Sequence, residues 1–187
     1  MQFEEITHIA HPAQRVVEAM IHHLEELVPF MDNVSAIETR RLEPQPDGRI
    51  LGLRHWQGTS ATVPAVLRPF VTKNSLGWLD HAVWYPSEGR VEWRIESGHS
   101  NYTKCEGSNV FEPDPTAPET RTRCVIRGVF EVHGDRIPAV PAFVGRKIAP
   151  TIERIILGYM IPNFRQLSEG LEGYLGSRPA WAEGGAT

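Results

Sequence analysis

The last quarter of the chain constrains it most: Ile148, Ile152, Ile155, Ile156, Tyr159, Met160, Phe164, Leu167, Leu171, Tyr174 and Leu175 recur mostly at spacings of three and four. That spacing lines them along one face of a helix, or of two stacked helices, and the face is too apolar to stand in water. It needs a large apolar partner. The stretch 34–133 offers one, because its short segments alternate apolar with polar residues and several carry Trp or Phe on one parity. A long helix closing over a curved, aromatic-lined sheet is a shape that holds an apolar ligand.

The elements before that helix follow from local patterns. Residues 3–9 read as a first strand, and Pro12 opens a helix whose apolar face is Val16, Val17, Met20, Ile21, Leu24, Leu27 and Val28, with Pro29 marking its end. Strands are expected at 34–42 and 49–57, joined through Pro44, Pro46, Asp47 and Gly48. A hairpin is expected at 77–85 and 90–97, where Val91, Trp93 and Ile95 alternate with Glu92, Arg94 and Glu96. A second hairpin spans 102–111 and 120–132, with Cys124, Ile126, Phe130 and Val132 on one parity. The Pro-rich stretch 62–72 reads as a short helix, an irregular lid or a bulged strand. Residues 137–150, also Pro-rich, carry the chain across to the closing helix, with Pro150 near its start and Pro162 kinking or dividing it.

Bulk properties bound the function. The 187 residues are 41% hydrophobic and 22% charged, which suits one globular domain over 1–175 with a Gly-, Ala- and Pro-rich tail over 176–187. A net charge of −4 offers no general attraction for nucleic acid, and the pairs Arg40/Arg41 and Arg121/Arg123 read as solvated strand faces. No run is long enough for a membrane span and no export signal is evident, so no stable membrane insertion is expected and a cytoplasmic location is the default. Oligomeric state is not legible.

Element order and strand texture resemble the Bet v 1-like or START-like (SRPBCC) superfamily. The likeness rests on FEEITHIAHPAQRVVEAM at the start, LDHAVWYPSEGRVEWRI in the middle and NFRQLSEGLEGYL in the last helix. It implies an α+β helix-grip fold, a curved antiparallel sheet wrapped around a long C-terminal helix with a cavity between them. It further implies binding of lipids, sterols or polyketide-like molecules, with a minority of members acting as cyclases, aromatases or hydrolases.

The residues expected to line such a cavity are the tryptophans first. Trp93 has its face fixed by clean alternation, whereas Trp78 and Trp84 depend on an uninterrupted register; Trp56 offers the same rigid apolar body with one donor. Phe130 from the sheet and Ile156 and Met160 from the helix join them. Polar candidates are Tyr102 and Asn109, which sit on or near the second hairpin, and His81, which shares parity with Leu79 and Val83 and would act as a base or bind a ligand oxygen if that face is inward. Asp80 shares parity with Trp78 and Trp84, but the cost of burying a charge favours a surface place for it.

Dedicated chemistry is hard to find. The eight histidines form no HExxH and no paired histidine–carboxylate spacing, so no metal site is expected, and no cofactor is implied. Cys105 and Cys124 read as small apolar fillers. GxSxG, GxxxxGK[ST] and GxGxxG are absent. Two main functions stand: binding or transfer of an apolar small molecule, and, as the alternative, a polyketide cyclase or aromatase using the same cavity. A partner-binding surface is the third.

Overall fold

A computed structural model describes residues 1–59 and 76–178; the stretch 62–72 and residues 179–187 of the tail, Trp181 among them, lie outside the described residues. The elements are β1 (Gln2–Ile9), α1 (Ala13–His22), a 3-10 helix (Leu24–Phe30), β2 (Val34–Pro44), β3 (Ile50–Gly58), β4 (Gly77–Tyr85), β5 (Arg90–Ser97), β6 (Thr103–Pro113), β7 (Thr122–Val132) and α2 (Ala142–Gly176). The seven strands form one sheet in the order β1-β7-β6-β5-β4-β3-β2, every neighbouring pair antiparallel. This curved sheet wraps the long helix α2, which is the helix-grip arrangement. Hairpin connections explain most of the order; β1 reaches β7 because the first strand closes the sheet at the far edge.

Two local expectations are corrected. The first helix stops at His22, and Leu24 and Leu27 are buried from a separate 3-10 segment that contains Pro29. The last helix begins earlier than expected, after Pro141, and runs unbroken for 35 residues with both Pro150 and Pro162 inside it. Each proline removes one backbone donor at a cost of roughly 3 kcal/mol. Both sit on the exposed side, and the buried face of α2 supplies the compensation.

Polar contacts tie α2 along β1 and β7. Thr7 Oγ1 and Ser168 Oγ share a buried hydrogen bond of 2.7 Å, Arg165 pairs with Glu5 at 2.6 Å, and the Ala10 N–H donates to Glu172 Oε1 at 2.7 Å. Glu153 accepts from the amino terminus and from the Val132 N–H. At its start α2 crosses the turn Gly134–Arg136 so closely that a Cβ on Gly145 would lie 1.8 Å from the Gly134 carbonyl oxygen. Only glycine allows that approach.

Gly145→Ala is therefore expected to lower stability by roughly 1–3 kcal/mol through overpacking. Gly158→Ala, in the same helix with nothing within 4 Å of its Cβ position, is expected to be neutral or to stabilise by up to about 1 kcal/mol. Urea unfolding midpoints check the pair, and equal effects would refute the close-approach account.

Candidate functional site

The face of the sheet under α2 is set by residues in register across the strands. One row runs Arg54, Asp80, Ile95, Cys105, Phe130; the next runs Gly52, Ala82, Trp93, Gly107, Gly128, Phe3; a third runs Ile50, Trp84, Val91, Asn109, Ile126, Glu5. Trp56 and Trp78 pair at the other end of β3 and β4. Phe164 of α2 identifies this as the helix side, because its ring lies 5.7 Å from Phe3 and 6.4 Å from Trp93.

Glycines make that contact possible. A Cβ on Gly107 would stand 2.6 Å from the Trp93 ring, and one on Gly128 would stand 2.5 Å from the Phe3 ring. The two aromatic rings thus lie down in a notch in the middle of the sheet. Trp93 is anchored at its polar end as well, its indole N–H donating to Asn109 Oδ1 at 2.8 Å.

The two halves of this face are packed differently. Trp84 stacks with Phe111 at 6.1 Å and is 2% exposed, and the C-terminal half of α2 covers its own side with Leu171, Tyr174 and Leu175, all buried. Trp78, Trp93 and Ile95, with Ile152, Ile156, Met160, Ile161, Phe164 and Leu167 of the helix, are only partly buried against the core. Trp56 and Trp78 stack at 5.8 Å, and Trp56 is buried. The described residues also form two open depressions elsewhere. One, of about 460 Å³, lies between α1 and the β4–β5 turn; the other, of about 480 Å³, runs over His55, Leu79 and Glu96 to the edge of Trp78.

The charges in the first row are a pair that strand patterns alone do not reveal. Arg54 is 2% exposed, donates from Nη2 to the Ile21 carbonyl at the end of α1, and reaches Thr39 Oγ1 from Nε at 3.3 Å. Burial weakens its hold on its proton, and the charges of Asp80 and Glu25 restore part of that hold. Asp80 faces the helix side, not the surface as charge burial alone suggests. Its Oδ1 is enclosed without a hydrogen-bond partner, and the enclosed Trp56 indole N–H likewise makes none. Desolvation pushes the carboxyl up to about 6, against the pull of Arg54 and the lesser pulls of His81 and the nearby Trp56. A parity shared with two tryptophans is the sequence signal for Asp80; for Arg54 the only signal is its parity with Trp56.

The remaining candidates are placed as follows. His81 is on the opposite, outer face, its Nε2 2.9 Å from Glu96 Oε2, so the parity of Leu79, His81 and Val83 is not the inward one. Tyr102 lies in the β5–β6 turn with its hydroxyl 2.7 Å from His99 Nδ1. Phe130 is buried in the Asp80 row, and Asn109 is buried holding Trp93. Burial pushes both thiols, Cys105 and Cys124, up to about 12, which leaves them protonated and poor nucleophiles. Among the described residues no group of His, Cys, Asp or Glu is placed to hold a metal ion, and no helix is long and apolar enough to cross a membrane.

No family model and no curated protein matches the sequence. Solved structures do match in fold. TTHA0849 from Thermus thermophilus is 20% identical with a TM-score of 0.65, over 96% of this chain and 100% of that one. The Zhui aromatase/cyclase from Streptomyces sp. R1128 is 16% identical with a TM-score of 0.63, over 100% and 99%. Ara h 8.0201 is 16% identical with a TM-score of 0.55, over 95% and 99%. The chain shares with these structures the helix-grip fold, a curved antiparallel sheet wrapped around a long C-terminal helix. At these identities the likeness is one of fold, and it carries no activity across.

Asp80 holds its proton in the folded state up to about pH 6, whereas the unfolded chain releases it near 3.8. Its contribution to stability therefore falls as pH rises from about 4 to about 6 and is flat above that. Asp80→Asn is expected to remove this slope and to raise stability at about pH 7.5 by up to roughly 3 kcal/mol, read from urea titrations across pH. Asn109→Leu removes the acceptor of the Trp93 N–H and is expected to cost roughly 1–3 kcal/mol, with a shifted tryptophan emission spectrum.

Proposed function

We propose that the protein binds an apolar, flat small molecule, such as a lipid, sterol or polyketide-like compound, between α2 and the β3–β5 half of the sheet. The observation that carries this reading is where unburied apolar surface remains. Trp78, Trp93 and Ile95 of the sheet and Ile152, Ile156, Met160 and Phe164 of the helix are partly buried residues of the core, whereas Trp84 and Phe111 are themselves buried. The small residues Gly52 and Ala82 lie in the row beside Asp80 and leave the floor of that half low. Apolar walls with a few polar groups are the usual composition of small-molecule sites. Trp78, Trp93, Ile156 and Met160 are its proposed contacts, with Phe130 and Asn109 supporting the wall behind them.

A cyclase or aromatase acting on a polyketide-like substrate is the second reading. A carboxyl with a pKa near 6 facing the interior favours it, since a general base works best near the operating pH. Its weakness is the lack of a partner for proton transfer: His81 is on the other face and Tyr102 is in a turn.

Native mass spectrometry of freshly purified protein tests binding directly. Met160→Trp is expected to fill the space, weakening a retained ligand roughly tenfold or more while leaving the unfolding temperature equal or higher. Unchanged affinity in that folded variant removes the space under α2 from the site. Conversion of the ligand that falls about a hundredfold in Asp80→Asn, with binding intact, moves the assignment to the enzyme.

A further inference from the structure

On the helix side of the sheet, Asp80 Oδ1 and the indole N–H groups of Trp56 and Trp84 are enclosed without hydrogen-bond partners, and Asp80 alone among these three can carry a charge. The neighbouring Trp56 indole only weakly favours its ionised form. The natural partner is opposite it in register, yet Arg54 is committed elsewhere. Its guanidinium is held by the Ile21 carbonyl and the Thr39 hydroxyl, and it does not come within 4 Å of the Asp80 carboxylate. The two charges therefore attract without pairing, and Arg54 favours the ionised carboxylate without occupying its lone pairs.

We propose that Asp80 is the specificity-determining group of the interior site, and that it selects an aromatic or polycyclic ligand carrying one hydrogen-bond donor, a phenol or alcohol, over the same ring system with that donor masked. This rests on the binding reading above. An ionised carboxylate only accepts, and an enclosed one without a donor is costly. A ligand O–H aimed at Oδ1 forms a charge-assisted bond in a desolvated place, where such bonds are strongest. An ether of the same shape leaves the oxygen bare, and a site built around a hydrogen bond rejects the ligand that lacks it. The stacked indoles of Trp56 and Trp78, one row over from Asp80, supply the flat apolar surface that would orient a ring beside the carboxylate.

Among the described residues, the charges facing Asp80 are few. Arg54 on β3 and His81 next to it on its own strand favour ionisation, Glu25 sits beyond Arg54, and the Cys105 thiol two strands away is protonated. The inward residues of α2, Ile152, Ile156, Met160 and Phe164, carry no charge. Protonation of Asp80 is thus the event that turns the acceptor into a donor, and the preference for a phenol over its ether should fade in acid.

The experiment titrates tryptophan emission with 2-naphthol and with 2-methoxynaphthalene, at about pH 7.5 and about pH 5, in the wild type, Asp80→Asn and Asp80→Leu. In the wild type 2-naphthol should bind roughly tenfold or more tightly than the ether at the higher pH, and the ratio should shrink at the lower one. Both variants should lose the ratio by weakening 2-naphthol and sparing the ether; Asp80→Asn keeps the side-chain volume should Asp80→Leu not fold. Equal binding of the two probes by the wild type, or a ratio that survives in Asp80→Asn, overturns the role of Asp80 and leaves the interior site standing. Failure of both probes to bind overturns the interior site and the inference together.

Discussion

Phe164 lying over Phe3 and Trp93 is the contact on which the rest of the structure depends. It joins the first strand, a central strand and the last helix in a single aromatic cluster. The cluster exists only because Gly107 and Gly128 lack side chains where those rings lie. With that point fixed, α2 has no freedom to slide along the sheet: the Thr7–Ser168 bond and the Arg165–Glu5 pair follow within a few residues of Phe164. The helix is thus seated at its start on Gly134, at its middle and along its C-terminal half. Between these seats, Ile152, Ile156 and Met160 keep exposed surface.

The same arrangement decides the electrostatics. The row under Phe164 carries the rings of Trp93 and Phe3, whereas the row with Arg54 and Asp80 has no ring until Phe130. Burying a guanidinium is tolerable because the end of α1 offers it a carbonyl where the helix dipole is negative. Burying a carboxylate there is not equally compensated, and the rise in its pKa is the measure of the shortfall. Asp114 is the contrast within one chain: it is more deeply buried, but Thr116, His8 and Arg121 satisfy it, and its pKa falls to about 2. One aspartate is a structural rivet, the other an unmet acceptor.

Strands and their alternation were legible because each has a side that meets water, and Trp93 had its side marked by Glu92 and Arg94. The facing of β4 was not legible, since Leu79 and Val83 on one parity are as apolar as Ala82 and Trp84 on the other. Only the register with β5, which sets Ala82 beside Trp93, turns His81 outward and Asp80 inward. Arg54 was invisible for a related reason: a charge in mid-strand looks solvated unless the distant carbonyl that receives it is known. The start of α2 was misplaced because two prolines argue locally against helix, while the packing of Gly145, Ala149 and Leu157 acts over a longer range.

A carboxyl poised near neutrality is compatible with both binding and catalysis, and geometry separates them. Proton transfer to a bound substrate needs an acid or base at hydrogen-bond distance from the reacting atom and a second group to accept the charge that develops. Asp80 supplies the first. One charged neighbour is Arg54, whose Nη2 and Nε are already bonded to the framework and which is held away from the carboxylate. A framework-bound guanidinium stabilises a developing negative charge only through space, by raising the acidity of whatever lies beside Asp80. That effect favours a ligand with an acidic hydroxyl, a phenol or enol, in binding and in chemistry alike. On the proposed reading, the same pair of residues sets the recognised functional group whether the molecule leaves unchanged or converted.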